Sequence, residues 1–286
     1  MHKLHQSITI NASKQRVWNA ITNLSQYKIW TEAFTPGSYF EGNWQQGEKM
    51  KFLAKDKENI SGLTSVISEN RLFEFISIKY LGLVKNGMED FTSEEAKKWT
   101  PCFENYTLLE KDFEITEFVV DMEVTDGFEG EMEKMWQKGM LSLKEISEKP
   151  FEKISIQVSV NKPVEAVWEC YTNPENIKKW NFASPNWHCP KAENDLKIGG
   201  RFSYTIAAKD ESFSFDFSGT YTKIENYKLI EYILDDGRKV QTIFEEKEGK
   251  IKVITNFEAE AENSLEMQKQ GWQAILDNFK KVCDEL

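Results

Sequence analysis

Hydrophobic positions along the chain follow two periods, and their order predicts the secondary structure. Residues 154–160 alternate apolar and polar side chains, as a strand with one buried face does. Apolar residues then recur at helical spacing, at Val164, Val167, Trp168 and Tyr171. Period-two patterns return at 201–206, 213–217 and, less regularly, 251–257. Helical spacing resumes at Leu265 and runs to the C-terminus, so the pattern predicts an antiparallel meander followed by a long amphipathic helix.

Capping residues predict where the helices begin. Ser13 is expected to cap the first helix, and Pro163 is expected at the first position of its counterpart in the second half. Asn263 and Glu266 have the spacing of a capping box, which predicts that the long C-terminal helix starts there.

The same succession of patterns occurs twice. Residues 17–23 align with residues 167–173 at a separation of 150, and Trp30 aligns with Trp180 at that same separation. Later pairs have other separations, among them Met135 with Met267 and Gly139 with Gly271, 132 residues apart. Each copy is as long as a typical domain, so the sequence predicts two tandem domains, 1–148 and 151–286.

Each copy reads as a strand, one or two short helices, five or six antiparallel strands and a long helix. This order predicts an α+β fold in which a curved antiparallel sheet wraps around the C-terminal helix. The space between the sheet and the helix is either filled by side chains or left as a cavity, and apolar cavities with a few polar groups are the usual small-molecule sites.

Motifs of a known family occur in both copies. Those in the second copy are Val167–Trp168, Trp180, Ser184–His188, Asn194–Leu196, Gly199–Phe202, Phe215–Phe217, Gly219–Tyr221 and Gly271–Leu276. Those in the first copy are Val17–Trp18, Trp30, Leu81–Gly87, Glu89–Asp90, Trp99 and Glu104–Tyr106. On these residues the sequence resembles the START-related (SRPBCC) superfamily of helix-grip domains, and within it the branch of heat-shock ATPase-activator homologues. The resemblance spans nearly the whole chain, once in each copy.

The resemblance implies a domain that encloses a hydrophobic ligand, as in lipid carriers, polyketide aromatase/cyclases and plant-hormone receptors. We expect binding of a small hydrophobic or amphipathic molecule without turnover. One alternative is an enzyme of aromatase/cyclase type, and another is a chaperone ATPase co-factor. The activators are similar to this chain only in their C-terminal module and carry a separate chaperone-binding domain before it, which makes a chaperone the less favoured partner.

Aromatic and polar residues near the expected grooves are the candidate ligand contacts. They are Trp30, Trp99 and Met140 in the first copy, and Trp180, Trp187, His188, Arg201, Tyr204, Asp216, Tyr221 and Trp272 in the second. Trp272 lies on the helix that the sheet would wrap and is the leading candidate. The repeat alignment makes Met140 its counterpart, so the two cavities should differ in shape.

Three of these candidates are His188, Arg201 and Asp216, and two of them, His188 and Asp216, have a more ordinary interpretation. His188 lies in a connection expected near the cavity and is read as a loop or polar cavity residue rather than a catalytic base. Asp216 lies between two phenylalanines on a strand, so it should face the surface if they pack inward. If the other face lined the cavity, Asp216 and Arg201 could form a polar anchor there.

Residues 81–105 resemble an insertion in the first copy. Thr92 and Glu95 have capping-box spacing and predict a short helix that runs to Trp99. The segment is interpreted as an ordered surface excursion, with a lid over the cavity as the alternative.

Composition excludes several classes of function. The formal net charge of −11 and the pI near 5.0 argue against a nucleic-acid partner, which would need a positive surface. With no long apolar run, we expect no membrane span and a cytoplasmic location. Four scattered cysteines are expected to be free thiols. Three histidines, of which His2 and His5 are expected to be solvated, predict neither a metal site nor a cofactor.

Overall fold

Each half of the chain folds as a separate unit, and both units have the same order of elements. The structure is a computed structural model that describes residues 2–57, 59–112, 114–125, 127–260 and 262–286. The first unit ends at Lys149 and the second begins at Pro150. In each, a strand, two short helices, a run of antiparallel strands and a long helix follow one another, which confirms the predicted α+β helix-grip fold in two copies.

The first unit contains the longer sheet. Its elements are β1 (His2–Ile10), α1 (Lys14–Thr22), α2 (Leu24–Trp30), β2 (Ser38–Gly42), β3 (Lys49–Asp56), β4 (Asn59–Arg71), β5 (Phe75–Lys85), β6 (Met88–Asp90), α3 (Glu94–Lys98), β7 (Phe103–Asp112), β8 (Ile115–Val124) and α4 (Glu129–Glu148). The strands pair in the order β1-β8-β7-β5-β4-β3-β2, and β6 pairs with the end of β5. A 3-10 turn at Thr31–Ala33 extends α2.

The second unit repeats this plan without the short strand β6 and helix α3. Its elements are β9 (Lys153–Val160), α5 (Val164–Thr172), α6 (Pro174–Trp180), β10 (Trp187–Asn194), β11 (Arg201–Ala208), β12 (Ser214–Glu225), β13 (Leu229–Leu234), β14 (Lys239–Lys247), β15 (Lys250–Glu258) and α7 (Leu265–Glu285). The strands pair antiparallel in the order β10-β11-β12-β13-β14-β15-β9. The first strand of the unit therefore lies beside the last one, as in the first unit.

Shifts in strand register occur in both sheets, in the first between β4 and β5. In the second sheet, the register shifts between Tyr221 and Lys223 on β12 and between His188 and Lys191 on β10. Such bulges bend a strand and increase its twist. The turn into β11 needs glycine, because Gly199 has a φ of +78° and a Cβ at Gly200 would lie 2.0 Å from the carbonyl oxygen of Asp195.

The helix starts confirm one capping prediction and correct three. Ser13 caps α1 as predicted, since its hydroxyl accepts from the Arg16 amide. Pro163 is the N-cap residue of α5 rather than its first helical residue. Ser264, not Asn263, caps α7, and Ser93, not Thr92, caps α3. In both cases a serine follows the predicted residue directly, and its hydroxyl accepts from the amide three residues on.

The long helices show that the predicted repeat alignment is one turn out of register in this region. The backbone amide of Asn11 donates to the Glu148 carboxylate at the end of α4. The backbone amide of its counterpart Asn161 donates to the Asp284 carboxylate at the end of α7. Glu148 and Asp284 are 136 residues apart, so the separation is 136 rather than 132. A shift of four residues leaves nearly the same helix face buried, which is why the hydrophobic pattern alone permits either alignment. The counterpart of Trp272 is therefore Trp136, and Met140 corresponds to Leu276.

Two further expectations concern the whole chain. The four cysteines, all within the described residues, are thiols, as predicted, and all four are buried. Among the described residues, no helix has the length and apolar character that crossing a membrane requires.

Candidate ligand-binding cavities

The second unit encloses a cavity of about 450 Å³ between its sheet and the long helix α7. Eleven of its described lining residues are aromatic. They are Tyr171, Trp180, Phe182, Trp187, Phe202, Tyr204, Phe215, Phe217, Tyr221, Tyr232 and Trp272. This volume lies within the usual range for small-molecule sites.

The Trp272 side chain extends from α7 to the sheet. Its ring stacks on Phe257 of β15, with the centroids 4.1 Å apart and the planes 11° from parallel. Phe217 of β12 contacts the same ring edge-on at 5.7 Å. Because Trp272 both lines the cavity and packs on the sheet, its size helps to set how much space stays open.

Phenolic hydroxyls provide polar groups inside this apolar wall. The Tyr221 hydroxyl donates to the Asn194 side-chain oxygen at 2.7 Å and lies 3.5 Å from the Tyr204 hydroxyl. The Asn194 amide nitrogen in turn donates to the backbone oxygen of Thr172 at 2.6 Å. Burial raises the pKa of Tyr204 and Tyr221, so both are neutral near pH 7.

Charged and amide groups line another part of the cavity wall. The Arg238 guanidinium, 13% exposed, donates through Nε to Asp236 at 2.7 Å. Gln268 of α7 exchanges hydrogen bonds with the backbone of Glu260 and also donates to the backbone oxygen of Asn263, which fixes the connection before the helix. These groups give the cavity a polar region in addition to its hydroxyls.

Five predicted contact residues line this cavity: Trp180, Trp187, Tyr204, Tyr221 and Trp272. Strand and helix geometry brings them together from α6, β10, β11, β12 and α7. Their role in binding a ligand stays a prediction.

The other three predicted contacts of the second unit lie outside the cavity. His188 is exposed, because it follows Trp187 on β10 and neighbouring residues on a strand point to opposite faces. Asp216 is exposed for the same reason, and it accepts from the Thr205 hydroxyl at 2.7 Å. Arg201 binds both carboxylate oxygens of Asp235, at 3.0 and 2.8 Å, so the Arg201–Asp216 anchor does not form.

The first unit has its own cavity, of about 300 Å³, between its sheet and α4. Its aromatic lining consists of Tyr27, Trp30, Phe34, Phe52, Tyr80, Trp99, Tyr106 and Trp136. The predicted contacts Trp30 and Trp99 are among them. Met140 is buried in the core and does not line the cavity, because Trp136 occupies the equivalent of the Trp272 position.

A buried carboxyl group distinguishes this first cavity. Glu104 of β7 is 7% exposed and lines the cavity. One of its oxygens accepts from the Tyr80 hydroxyl at 2.8 Å, and the other accepts from the Tyr106 hydroxyl. Burial raises the pKa of Glu104, while the two phenolic hydrogen bonds oppose that rise.

The predicted excursion at 81–105 forms β6 and α3 and brings Trp99 to the first cavity. Lys85 at its start pairs with Glu95 at 2.6 Å, and Asp90 accepts from the amides of Thr92 and Ser93. These contacts support an ordered excursion, and a lid function stays untested.

Sequence reasoning did not select Glu104 or Arg238 as site residues. Glu104 belongs to the motif Glu104–Tyr106 on which the family resemblance rests. It alternates along the strand with Tyr106 and Leu108, and this period of two could have indicated that its carboxyl group lies on an apolar strand face. Arg238 precedes a strand in a polar turn, where a charged side chain is ordinary, so no local signal marked it.

Metal chemistry has no support among the residues that the structure describes, since they contain no group of three or more His, Cys, Asp or Glu that could hold an ion.

Sequence comparison places the second half of the chain in a known family. The family described as Activator of Hsp90 ATPase homolog 1-like protein matches residues 161–284. An AHSA1-like protein from Aeromonas hydrophila is 41% identical, over 47% of this chain and 93% of that one, with a TM-score of 0.45. The chain belongs to the AHSA1-like family. A protein from Cytophaga hutchinsonii is 45% identical to this AHSA1-like chain, over 46% of it and 92% of the relative, with a TM-score of 0.43.

More remote similarity extends over the whole chain. The di-domain ARO/CYC StfQ from the steffimycin biosynthetic pathway aligns with 99% of this AHSA1-like chain and 98% of its own, at 11% identity and a TM-score of 0.38. These values are too low to indicate a function. No protein of curated function shows significant sequence similarity to the chain.

Proposed function

We propose that the second unit binds a small hydrophobic or amphipathic molecule in its cavity, without chemical turnover. The observation that carries this proposal is the cavity of about 450 Å³ between the sheet and α7, lined mainly by aromatic and aliphatic side chains. Transfer of apolar surface from water into such a wall is favourable by roughly 25 cal/mol per Å² buried. An apolar body of modest size would therefore be held largely by burial.

The polar groups favour an amphipathic ligand. Arg238, with its charge already paired to Asp236, and the neutral hydroxyls of Tyr204 and Tyr221 line the same cavity. A ligand with one polar end could hydrogen-bond to these groups while its apolar part contacts the rings. A few convergent polar groups in an apolar wall usually fix a ligand's orientation.

The side chains present support binding rather than catalysis. Within the described part of the chain, no histidine or cysteine lines this cavity. The tyrosines have raised pKa values because they are buried, so they would not serve as bases near pH 7. Glu260, the one carboxylate among the described lining residues, accepts hydrogen bonds from the backbone amides of Glu262 and Asn263.

Native mass spectrometry of the full chain purified from cells tests the proposal, followed by denaturing extraction of whatever is retained. We expect a lipid or an aromatic metabolite to accompany the protein, or an added apolar dye to bind when it is purified empty. Trp272→Ala should change the affinity for that ligand, because it enlarges this cavity. Trp136→Ala is the matched control, since it removes the equivalent side chain from the other unit.

Two results would contradict binding in the second cavity. One is a chain that carries no ligand and takes up no apolar dye. The other is a Trp272→Ala variant that is destabilised but binds the ligand unchanged, which would make Trp272 a core residue only.

A further inference from the structure

The carboxyl group of Glu104 is buried in the first cavity and has no cationic partner among the residues that the structure describes. Within the described residues, no lysine, arginine or histidine lines this cavity, whereas a second carboxylate, Glu123, does. Both hydrogen bonds to Glu104 come from neutral phenols, those of Tyr80 and Tyr106. Buried carboxylates are normally paired with a positive charge, because desolvation of an unpaired ion is costly.

The phenols hold the carboxyl group ready to accept further hydrogen bonds. Each carboxylate oxygen has two acceptor positions, and Tyr80 and Tyr106 use one on each oxygen. Acceptor capacity is therefore left for N–H donors of an occupant. The phenols also fix the carboxyl group on the cavity face of β7.

Aromatic rings surround the same space. Trp136 of α4 contacts Phe34 at 4.9 Å, Tyr106 at 5.8 Å and Trp30 at 5.9 Å between centroids, and all four rings line the cavity. The faces of such rings attract organic cations, and aromatic cages are the common recognition site for ammonium groups. A carboxylate and an aromatic cage thus favour the same kind of ligand.

The fold does not require a carboxyl group at this position. In the first unit Ile8 pairs with Phe118, and in the second the equivalent Val158 pairs with Val253. Phe118 and Val253 are therefore equivalent, and so are Met122 and Phe257, which lie four residues further along each strand. Glu104 pairs with Met122, and Val240 pairs with Phe257, so Val240 is the counterpart of Glu104. Val240 is buried in an apolar core. A buried carboxyl group at this register position is therefore found in the first unit and not in the second.

We propose that the first cavity binds an organic ammonium ion, a protonated amine on a small apolar body, with Glu104 as its counter-charge and the surrounding rings as its cage. Glu123, half-buried in the lining, adds a second negative charge that attracts the cation. This site differs in place and chemistry from the cavity of the second unit, so neither proposal depends on the other.

Calorimetric titration of the full chain with three probes of the same shape tests the proposal. The probes are 3-phenylpropylamine, the neutral 3-phenylpropan-1-ol and the anionic 3-phenylpropionate, at pH 7. We expect the amine to bind at least tenfold more tightly than either of the others. Glu104→Gln should weaken amine binding at least tenfold while leaving alcohol binding within about twofold.

Glu110→Gln is the matched control, because Glu110 lies on the same strand but is exposed and pairs with Lys14. Its amine affinity should be unchanged. Should Gln at position 104 unfold the chain, Glu104→Val replaces it, since the second unit has valine at that register. Equal affinities for the amine and the alcohol in the wild type would overturn the proposal. So would an amine preference that survives in the Glu104 variant, which would assign the cation to another site.

Discussion

At the scale of single residues, burial decides the chemistry of the two cavities. Glu104 and Asp216 are both acidic residues on strands, yet one is 7% exposed between two phenols and the other faces solvent beside a threonine hydroxyl. Desolvation by burial raises the pKa of Glu104. The difference arises from the strand face that each occupies, not from the residue type.

The raised pKa of Glu104 predicts a pH dependence of stability. Below the usual glutamate pKa, about 4.3, the group is protonated in both the folded and the unfolded chain. As the pH rises, the unfolded chain ionises first, so the free energy of unfolding falls until the folded group has also ionised. Glu104→Gln should remove this fall. Thermal denaturation of both proteins from pH 4 to 8 checks it, and parallel curves would contradict a raised pKa.

At the scale of elements, the helix ends show how far local sequence signals reach. Capping patterns located α3 and α7 to within two residues, but the neighbouring serine, not the predicted residue, makes the hydrogen bond. Asparagine, threonine and serine all serve as caps, so the sequence gives the region and the backbone path selects the residue.

Removal of the α7 cap should therefore cost stability at a defined position. Ser264→Ala is expected to lower the free energy of unfolding by about 1 kcal/mol, because the Met267 amide loses its acceptor. Asn263→Ala should cost less, since the exposed Asn263 side chain donates to the Glu260 carboxylate and does not cap the helix. Urea denaturation of the two variants gives the comparison, and the reverse order would restore Asn263 as the capping residue.

The long helices illustrate an ambiguity that only packing removes. A separation of 132 matches Gly139 with Gly271, and a separation of 136 matches Trp136 with Trp272. Both keep the apolar stripe on nearly the same face, because four residues make about one helical turn. The hydrogen bonds from Asn11 and Asn161 to the helix ends select 136, and with it the aromatic residue that lines each cavity.

At the scale of the whole molecule, one fold supplies two cavities with different linings. The first has two carboxyl groups and no lining cation among its described residues, and the second includes Arg238 among its polar groups. The described residues that line one cavity are all different from those that line the other. The repeated architecture thus permits the two sites to differ in ligand while the element order stays the same.

If the two cavities are independent sites, the effects of one substitution in each on ligand binding should be additive. Trp272→Ala should alter binding of the second-unit ligand, and Glu104→Gln should weaken binding of the amine. In the double variant, the change in binding free energy for each ligand should equal the change in the corresponding single variant to within about 0.5 kcal/mol, because sites without shared partners rarely couple. Calorimetry on the single and double variants measures this, and a larger deviation would show that the cavities are linked.

The sequence by itself determined the element order, the two copies and the fold class, because periodicity and repetition are local properties of the chain. It also predicted seven residues that line a cavity in the structure: Trp30, Trp99, Trp180, Trp187, Tyr204, Tyr221 and Trp272. Tertiary structure alone decided which strand faces meet and where charge is buried. In the folded chain, His188, Arg201 and Asp216 are exposed and lie outside the cavity, whereas Glu104 lies among aromatic rings. Only the tertiary structure decides this, because strand register and packing bring together residues that are distant along the chain.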